Sequence, residues 1–289
     1  MTTAVLITGT SSGIGRATAL RLARRPDLTV YATARRVETL DGLAQAGARI
    51  LPLDVTDEAS MRAAVAAIEA EHGAVGALVN NAGYGAYGTI EEADLDAVRA
   101  QFETNVFGLA RMTQLVLPGM RAAGSGRIVN VGSMGGRIVF PAGGYYHASK
   151  YAVEALTDAL RFEAAPFGIK VSLIEPGLIR TGFGGTAART LARSAVPSGP
   201  YAGLNAAATE QMAASYRSTR LTAPPEDVAK VIERAILAAR LRTRYLVTPA
   251  AAFLVHTRRL LGARVFDAYL RMQFRGGAGV TRAAVDMSR

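Results

Sequence analysis

The segment GGYYHASKYAVEAL, residues 143–156, carries the side chains best suited to moving a proton. Tyr146 and Lys150 lie four apart, so on a helix they project from one face, whereas Tyr145 and Lys150 are five apart and diverge. A phenol with an ordinary pKa of about 10 is a poor base at neutral pH, and a neighbouring ammonium favours its phenolate. Tyr146 is therefore expected to take a proton from an alcohol or to give one to a carbonyl oxygen. Ser133, in RIVNVGSM, stands thirteen residues earlier after a strand-like run, where its hydroxyl can donate to the same developing oxyanion. Asn105, polar within FETNVFGL, reads in two ways. It is either a cap or helix bend, or the holder of a water that passes protons to Lys150.

A second constellation is made of glycine. TGTSSGIG, residues 8–15, follows the apolar run AVLIT and opens the helical pattern IGRATALRLARR. Backbone N–H groups at a helix N-terminus bind a pyrophosphate where no Cβ intervenes. Gly9, Gly13 and Gly15 give the spacing T-G-x-x-x-G-x-G, and Ser11, Ser12 and Ile14 complete the turn. About 20 residues on, where an NAD site presents an acidic residue to the ribose 2′-hydroxyl, the strand YATARR ends in Ala34, Arg35 and Arg36. A guanidinium pairs with a 2′-phosphate through charge-assisted hydrogen bonds. NADP(H) is thus expected in preference to NAD(H), the rival reading being two solvated surface arginines. A cationic nicotinamide beside Tyr146 would add to Lys150 in favouring the phenolate.

These groups need a scaffold, and the chain supplies a regular rhythm. AVLIT, LTVYATA, RILPLDV, ALVNNAG, RIVNVGS and KVSLIEPG alternate with helical patterns, among them VETLDGLAQA and a long one through LDAVRAQFETNVFGLARMTQLVLPGM. Such alternation predicts an α/β fold, a doubly wound parallel sheet of about seven strands in one Rossmann-type domain over residues 1–289. Strands buried on both faces read as continuous apolar runs. After Pro176 the rhythm breaks. Residues 182–222, rich in Gly, Ala, Ser, Thr and Pro with weak helical patterns, read as a substrate-binding loop or lid. PPEDVAKVIERAILAAR, RYLVT and a basic amphipathic segment at 252–275 close the chain.

Composition narrows the partners. The 289 residues include no cysteine, so disulfides, cysteine-ligated zinc and thiol chemistry are excluded, which fits a reducing compartment. Histidines stand only at 72, 147 and 256, too scattered for a metal cluster, and no metal is expected. Apolar runs are interrupted short of membrane-spanning length, pointing to a soluble cytoplasmic protein. Most of the net charge of +10 sits after residue 239, where ten arginines face only Asp267 and Asp286. No nucleic-acid motif or aromatic interleaving accompanies it, so no nucleic-acid partner is expected.

The turn Thr8–Gly15, the run NNAG ending at Gly83, Asn105, Ser133, Tyr146 with Lys150, and the pair Pro176 and Gly177 together resemble the short-chain dehydrogenase/reductase family, over the whole chain though more loosely after residue 182. The eight-residue turn points to the short branch of that family. Within it, VYATARR, GYYHASKYAVEAL and FGIKVSLIEPGLIRTGF are most similar to 17-beta-hydroxysteroid and retinol dehydrogenases and their bacterial relatives. The resemblance implies that Asp54 and Val55 contact the adenine and that Asn81, Ala82 and Gly83 line the adenosine side. It implies Tyr146 as acid/base, Lys150 on the nicotinamide ribose, Ser133 orienting the carbonyl, and Ile179 and Thr181 meeting the carboxamide.

A pocket for substrate is expected between MGGRIVFPAGGYY and residues 183–215 of the insertion. Met134, Val139, Phe140 and Phe183, with Leu191 and Met212, supply apolar surface with few fixed charges, which suits a bulky hydrophobic ketone or alcohol such as a steroid, retinoid or polyketide. Each of these reads equally as core, Val139 most of all. The resulting expectation is NADP(H)-dependent ketone and secondary alcohol interconversion, with a catalytically inactive NADP(H)-binding sensor or scaffold as the alternative. The resemblance implies a homo-oligomer, dimer or tetramer. The 252–275 segment is expected to pack on the body or a partner subunit; the competing reading lays it on anionic lipid with Phe253, Leu254, Leu261, Phe266 and Leu270 inserted.

Overall fold

The computed structural model describes residues 2–274. The first strand, β1 (Thr3–Ile7), is followed by α1 (Gly13–Leu22), β2 (Leu28–Ala34), a short 3₁₀ turn at Val37–Leu40, α2 (Asp41–Gln45), β3 (Arg49–Pro52), α3 (Glu58–His72) and β4 (Ala77–Asn80). Then come α4 (Leu95–Phe102), α5 (Leu109–Ala122), β5 (Gly126–Val131), α6 (Gly144–Ala164) and β6 (Ile169–Glu175). The later part holds β7 (Leu178–Ile179), α7 (Phe183–Ser194), α8 (Ala202–Arg217), β8 (Thr222–Ala223), α9 (Pro225–Leu237), β9 (Arg244–Leu246) and α10 (Pro249–Gln273).

Seven strands form one parallel sheet in the order β3-β2-β1-β4-β5-β6-β9, and β7 pairs with β8 in a small ribbon. The alternation of β1 shows why its sequence is continuously apolar. Val5 and Ile7 enter the core shared with α1 and α9, while Ala4 and Leu6 enter the core shared with α3 and α5. Order reverses between β1 and β4, whose connections leave toward opposite faces. A crevice opens there at the carboxyl ends of the strands, the place where doubly wound sheets bind ligands.

Three elements differ from the sequence expectation. VETLDGLAQA forms a 3₁₀ turn followed by the five-residue α2 rather than one helix. The long helix ending at Met120 is interrupted by a π-helical turn, Glu103–Gly108, which carries Asn105. There a Cβ on Gly108 would meet the Val55 carbonyl at 2.5 Å, and Asn105 is bonded to backbone outside the helix, so the wider turn accommodates a close approach and a polar anchor. Residues 182–222 are not irregular but contain α7 and α8, which bury Gly184, Ala187, Leu191, Asn205 and Ala208.

α10 breaks at Gly262, whose φ of 76° lies in the left-handed region open to glycine. Its Ala251, Val255 and Phe266 pack on Met134 and Ile138, joined by Leu254, Tyr269 and Leu270. Of the five apolar residues that a lipid-bound segment would insert, Leu254, Phe266 and Leu270 are thus turned onto the protein's own body, whereas Phe253 and Leu261 are exposed. Arg275, the last residue of that expected segment, lies outside the described residues. No described helix is long and apolar enough to cross a membrane.

Candidate active site

The glycine turn is locked to the loop after β4. Thr8 Oγ1 accepts hydrogen bonds from the Asn81 and Ala82 N–H groups, each at 3.0 Å, and Asn81 Nδ2 donates to the Thr8 and Gly9 carbonyls at 2.9 Å. A Cβ on Gly9 would lie 2.8 Å from Ala82 Cα. One on Gly15 would strike the Gly9 carbonyl and Asn81 Nδ2. α1 begins after Ser12 with no side-chain cap and no acidic residue in its first turn, so its leading N–H groups face the crevice without a protein acceptor. A backbone cradle free of Cβ at a bare helix N-terminus fits a dinucleotide pyrophosphate.

That cradle is one end of a cavity of about 1860 Å³. Gly9, Ser12, Gly13, Ile14, Arg35, Asp54, Val55, Asn81, Ala82 and Gly83 line it, as do Pro176, Gly177, Ile179 and Thr181. Ser133, Tyr146 and Lys150 line its middle, and Met134, Phe140, Phe183 and Met212 its apolar part.

Five expected site residues and one further pocket candidate lie outside this lining. Ser11 is exposed on the outer side of the turn, and Gly15 is buried beneath it. Arg36 leads the exposed 3₁₀ turn, its carbonyl accepting from Thr39 Oγ1, so the expected arginine pair reduces to Arg35 at the cavity. Val139 is neither core nor wall: with Ile138 turned inward, the extended backbone carries Val139 outward, exposed over a separate 360 Å³ depression that Gly88, Ile90 and Phe266 also line. Leu191 packs with Ala142 and Ala208 in the core under α7 and α8.

Asn105 is buried behind the wall. Its Oδ1 accepts from the Tyr84 N–H at 3.0 Å, and its Nδ2 donates to the Tyr84 carbonyl at 2.9 Å and to Ser149 Oγ at 3.1 Å. All of this polarity ties the loop after β4 to α6, beside Lys150.

The two tyrosines of the YY pair separate as helix geometry requires. Tyr145 donates its hydroxyl to the Ile90 carbonyl at 3.3 Å, while Tyr146 faces the cavity between the rings of Phe183, Tyr87 and His147, with centroids 5.2, 5.5 and 5.6 Å away. Lys150 Nζ donates to the Val131 carbonyl at 3.0 Å. Burial pushes the Lys150 ammonium down to about 8 and the Tyr146 phenol up to about 12, the Ser133 hydroxyl opposing the latter. These values belong to the protein alone, whereas the expected lowering of the phenol counts a cationic nicotinamide beside Lys150. Without it, desolvation of the phenolate dominates, and Lys150 Nζ is engaged by the Val131 carbonyl. Tyr146 therefore stands as a neutral hydroxyl, the form that donates a proton.

Sequence reasoning missed Tyr87 and Tyr216, which line the same cavity; Tyr87 stacks on Tyr146 at an interplanar angle of 27°. For Tyr87 the available signal was YGAYG, residues 84–88, directly after NNAG, where small residues bring the chain against the wall. It also missed a partly buried ionic seam along α6 and β6. Arg137 donates to Glu175 at 3.1 Å, and Arg244 donates to Glu154 at 3.2 Å and to Asp158. Burial and the facing Glu175 carboxyl hold Glu154 well above the usual carboxylate range.

A doubly wound sheet with a glycine-lined dinucleotide cradle and a tyrosine, lysine and serine in one cavity defines a nicotinamide-dependent dehydrogenase class. Residues 3–192 match the short chain dehydrogenase family model, and the chain belongs to that family. It is 44% identical over 179 residues to the 3-ketodihydrosphingosine reductase of Bacteroides thetaiotaomicron, covering 62% of this chain and 65% of that one. It is 36% identical over 272 residues to the oxidoreductase YbbO of Escherichia coli, covering 94% and 95%. It is 42% identical over 192 residues to human 17-beta-hydroxysteroid dehydrogenase type 1, covering 63% and 58%. Among solved structures, a short-chain dehydrogenase from Streptomyces avermitilis superposes with a TM-score of 0.79 at 36% identity, covering 95% of this chain and 98% of that one. One from Burkholderia phymatum in complex with NAD gives 0.76 at 29%, covering 89% and 93%. A metagenomic oxidoreductase in complex with NADP gives 0.65 at 25%, covering 86% and 97%. Family membership alone thus does not choose between the two coenzymes.

Proposed function

We propose that the protein is an NADP(H)-dependent oxidoreductase that interconverts a ketone and a secondary alcohol on a bulky hydrophobic substrate. One observation carries this reading: Ser133, Tyr146 and Lys150 line the same cavity as the glycine cradle, so a proton donor and a pyrophosphate site share one cleft. The bound nicotinamide would supply or accept the hydride. Gly9, Gly13 and Ile14 would hold its pyrophosphate, Asp54 and Val55 its adenine, Asn81, Ala82 and Gly83 its adenosine side, and Ile179 and Thr181 its carboxamide. Tyr146 donates its proton to the carbonyl oxygen during reduction, and the Ser133 hydroxyl steadies the charge developing there. Lys150, protonated and buried, favours the phenolate that Tyr146 becomes.

Arg35 supports NADP(H): it reaches the cavity where an acidic residue would repel a 2′-phosphate. The size of the cavity and its lining by Met134, Phe140, Phe183, Met212 and Leu254 support a large apolar substrate. Relatives named for 3-ketodihydrosphingosine and 17-beta-hydroxysteroids point the same way. A homo-oligomer is part of this reading, supported by exposed Phe107 on the π turn and exposed Tyr151, Leu156 and Phe162 on α6.

The purified protein should oxidise NADPH faster than NADH when given a 17-ketosteroid, 3-ketodihydrosphingosine or another ketone from a hydrophobic panel. Tyr146→Phe should lower kcat roughly 10²–10⁴-fold with NADPH binding retained, and Arg35→Ser should weaken NADPH alone by roughly tenfold. Unchanged turnover in Tyr146→Phe would overturn the proposal. Tight NADPH binding without turnover on any alcohol or ketone would instead support an inactive sensor.

A further inference from the structure

Between Ser133 and Tyr146 the chain makes an eleven-residue excursion, 134–144, that forms part of the cavity wall. Two points of it, Gly135 and Phe140, are held by one side chain, His147. The imidazole is buried on α6 immediately after Tyr146. Its Nδ1 lies 2.9 Å from the Gly135 carbonyl, and its Nε2 lies 3.1 Å from the Phe140 backbone nitrogen. A backbone N–H only donates, so Nε2 must carry a lone pair. The proton is then on Nδ1, where the carbonyl accepts it. Geometry alone selects one neutral tautomer. Burial reinforces it by pushing the imidazole down to about 4.

The space around the ring is made for it. A Cβ on Gly135 would lie 2.8 Å from Nδ1, and one on Gly143 would lie 2.9 Å from Nε2. The ring also packs edge-on against Tyr146 and Tyr87, and tilted against Phe140. Gly135, fixed at its carbonyl by His147, uses its own N–H to donate to Ser133 Oγ at 2.9 Å. That bond occupies a lone pair of the serine oxygen and leaves its proton free to point elsewhere, into the cavity. At the other end, the Phe140 N–H held by His147 fixes a ring that lines the apolar part of the same cavity.

We propose that His147 is a positioning residue. As a neutral imidazole protonated on Nδ1, it sets the Ser133 hydroxyl through Gly135 and the substrate-facing Phe140 through its backbone. The inference rests on the reading of Ser133 and Tyr146 given above and adds a residue that borders the same cavity but spends both ring nitrogens on the backbone of the loop. It also explains why the imidazole must not titrate in use. Protonated Nε2 would lose the Phe140 bond and release the loop.

Two measurements decide it on the full-length protein. In wild type, ¹⁵N–¹H spectra of the imidazole between about pH 6 and 8 should show a protonated Nδ1 and a bare Nε2; the opposite tautomer or a fast exchange of both overturns the proposal. In NADPH-driven reduction of the fastest ketone of the panel, His147→Phe, which keeps a ring but no hydrogen bonds, should lower kcat roughly 10–100-fold with NADPH affinity within about threefold of wild type. His147→Asn, whose amide can still donate to Gly135, should recover most of that kcat while leaving KM for the ketone raised, because Phe140 stays unheld. Equal kcat in all three proteins, with Tyr146→Phe inactive, overturns this inference and spares the site. Should Tyr146→Phe remain fully active, both fall together. If His147→Phe does not fold, the Asn variant and the wild-type tautomer still decide for or against the role.

Discussion

Along the β1 and β4 wall of the cavity a ligand meets backbone; along α7, α8 and α10 it meets side chains. The first wall is Gly9, Gly13, Asn81, Ala82 and Gly83, held by hydrogen bonds that each join a peptide group to the side chain of Thr8 or Asn81. The second is Phe183, Met212, Tyr216, Leu254 and Phe274, carried on helices that pack through apolar contacts. The difference teaches how tightly each wall constrains its residues. A backbone wall demands glycine wherever a Cβ would collide, so almost no substitution is tolerated. A side-chain wall needs only volume and apolarity, so many residues would serve and the substrate changes with them.

The comparison breaks first at Gly15. Its added methyl would strike the Gly9 carbonyl and Asn81 Nδ2, and both are fixed by further hydrogen bonds. Gly15→Ala should cost about 1–3 kcal/mol of stability as an overpacked core site does, with NADPH affinity falling by well over tenfold. Thermal unfolding with and without NADPH measures both. Wild-type affinity in this variant would mean that the cradle yields and is not the rigid wall described.

A smaller effect should come from the opposite wall. Phe183 sits with its ring 5.2 Å from Tyr146 and against Gly85. Phe183→Ala should raise KM for a bulky ketone roughly tenfold, the loss of one large apolar contact, with kcat and NADPH affinity little changed. A small ketone should hardly notice. If small and bulky ketones suffered alike, the α7 wall would be serving the chemistry rather than the fit.

The same contrast governs what the sequence disclosed. Glycine spacing, the strand rhythm and the four-residue step from Tyr146 to Lys150 follow from constraints that hold wherever the motif occurs, and the parallel sheet, the cradle and the choice of Tyr146 over Tyr145 were readable from them. Val139 was not, because which face of an extended loop looks inward depends on what Ile138 finds to pack on. Arg36 was indistinguishable from Arg35 until the 3₁₀ turn carried it away. The desolvation of Tyr146 in the protein alone was not readable either, since spacing reports the ammonium but not the burial. α7 and α8 were seen only as weak patterns, their buried faces being chiefly alanine and glycine.

The finest test lies outside both walls, at the ionic seam along α6 and β6. Arg244, on β9 in the later region, bonds Glu154 and Asp158 on α6, while Arg137 bonds Glu175 at the end of β6. Among the described residues, Glu154 Oε1 and Glu175 Oε2 are buried without a donor, and a proton shared between the two carboxyls satisfies both. Burial, then Glu175, raises Glu154 above its ordinary value of 4.5. An acid whose folded pKa is raised stabilises the fold fully below its unfolded pKa, and that contribution is lost as pH rises through the folded value. Glu154→Gln supplies a permanent N–H in place of the titrating proton while its carbonyl can still accept from Arg244. Its unfolding temperature should therefore gain on wild type steadily as pH rises from about 5 to 8, with turnover within a few-fold. A gap that stays flat over that range would mean that no proton is shared, and that the seam joins α6, β6 and β9 through its arginines alone.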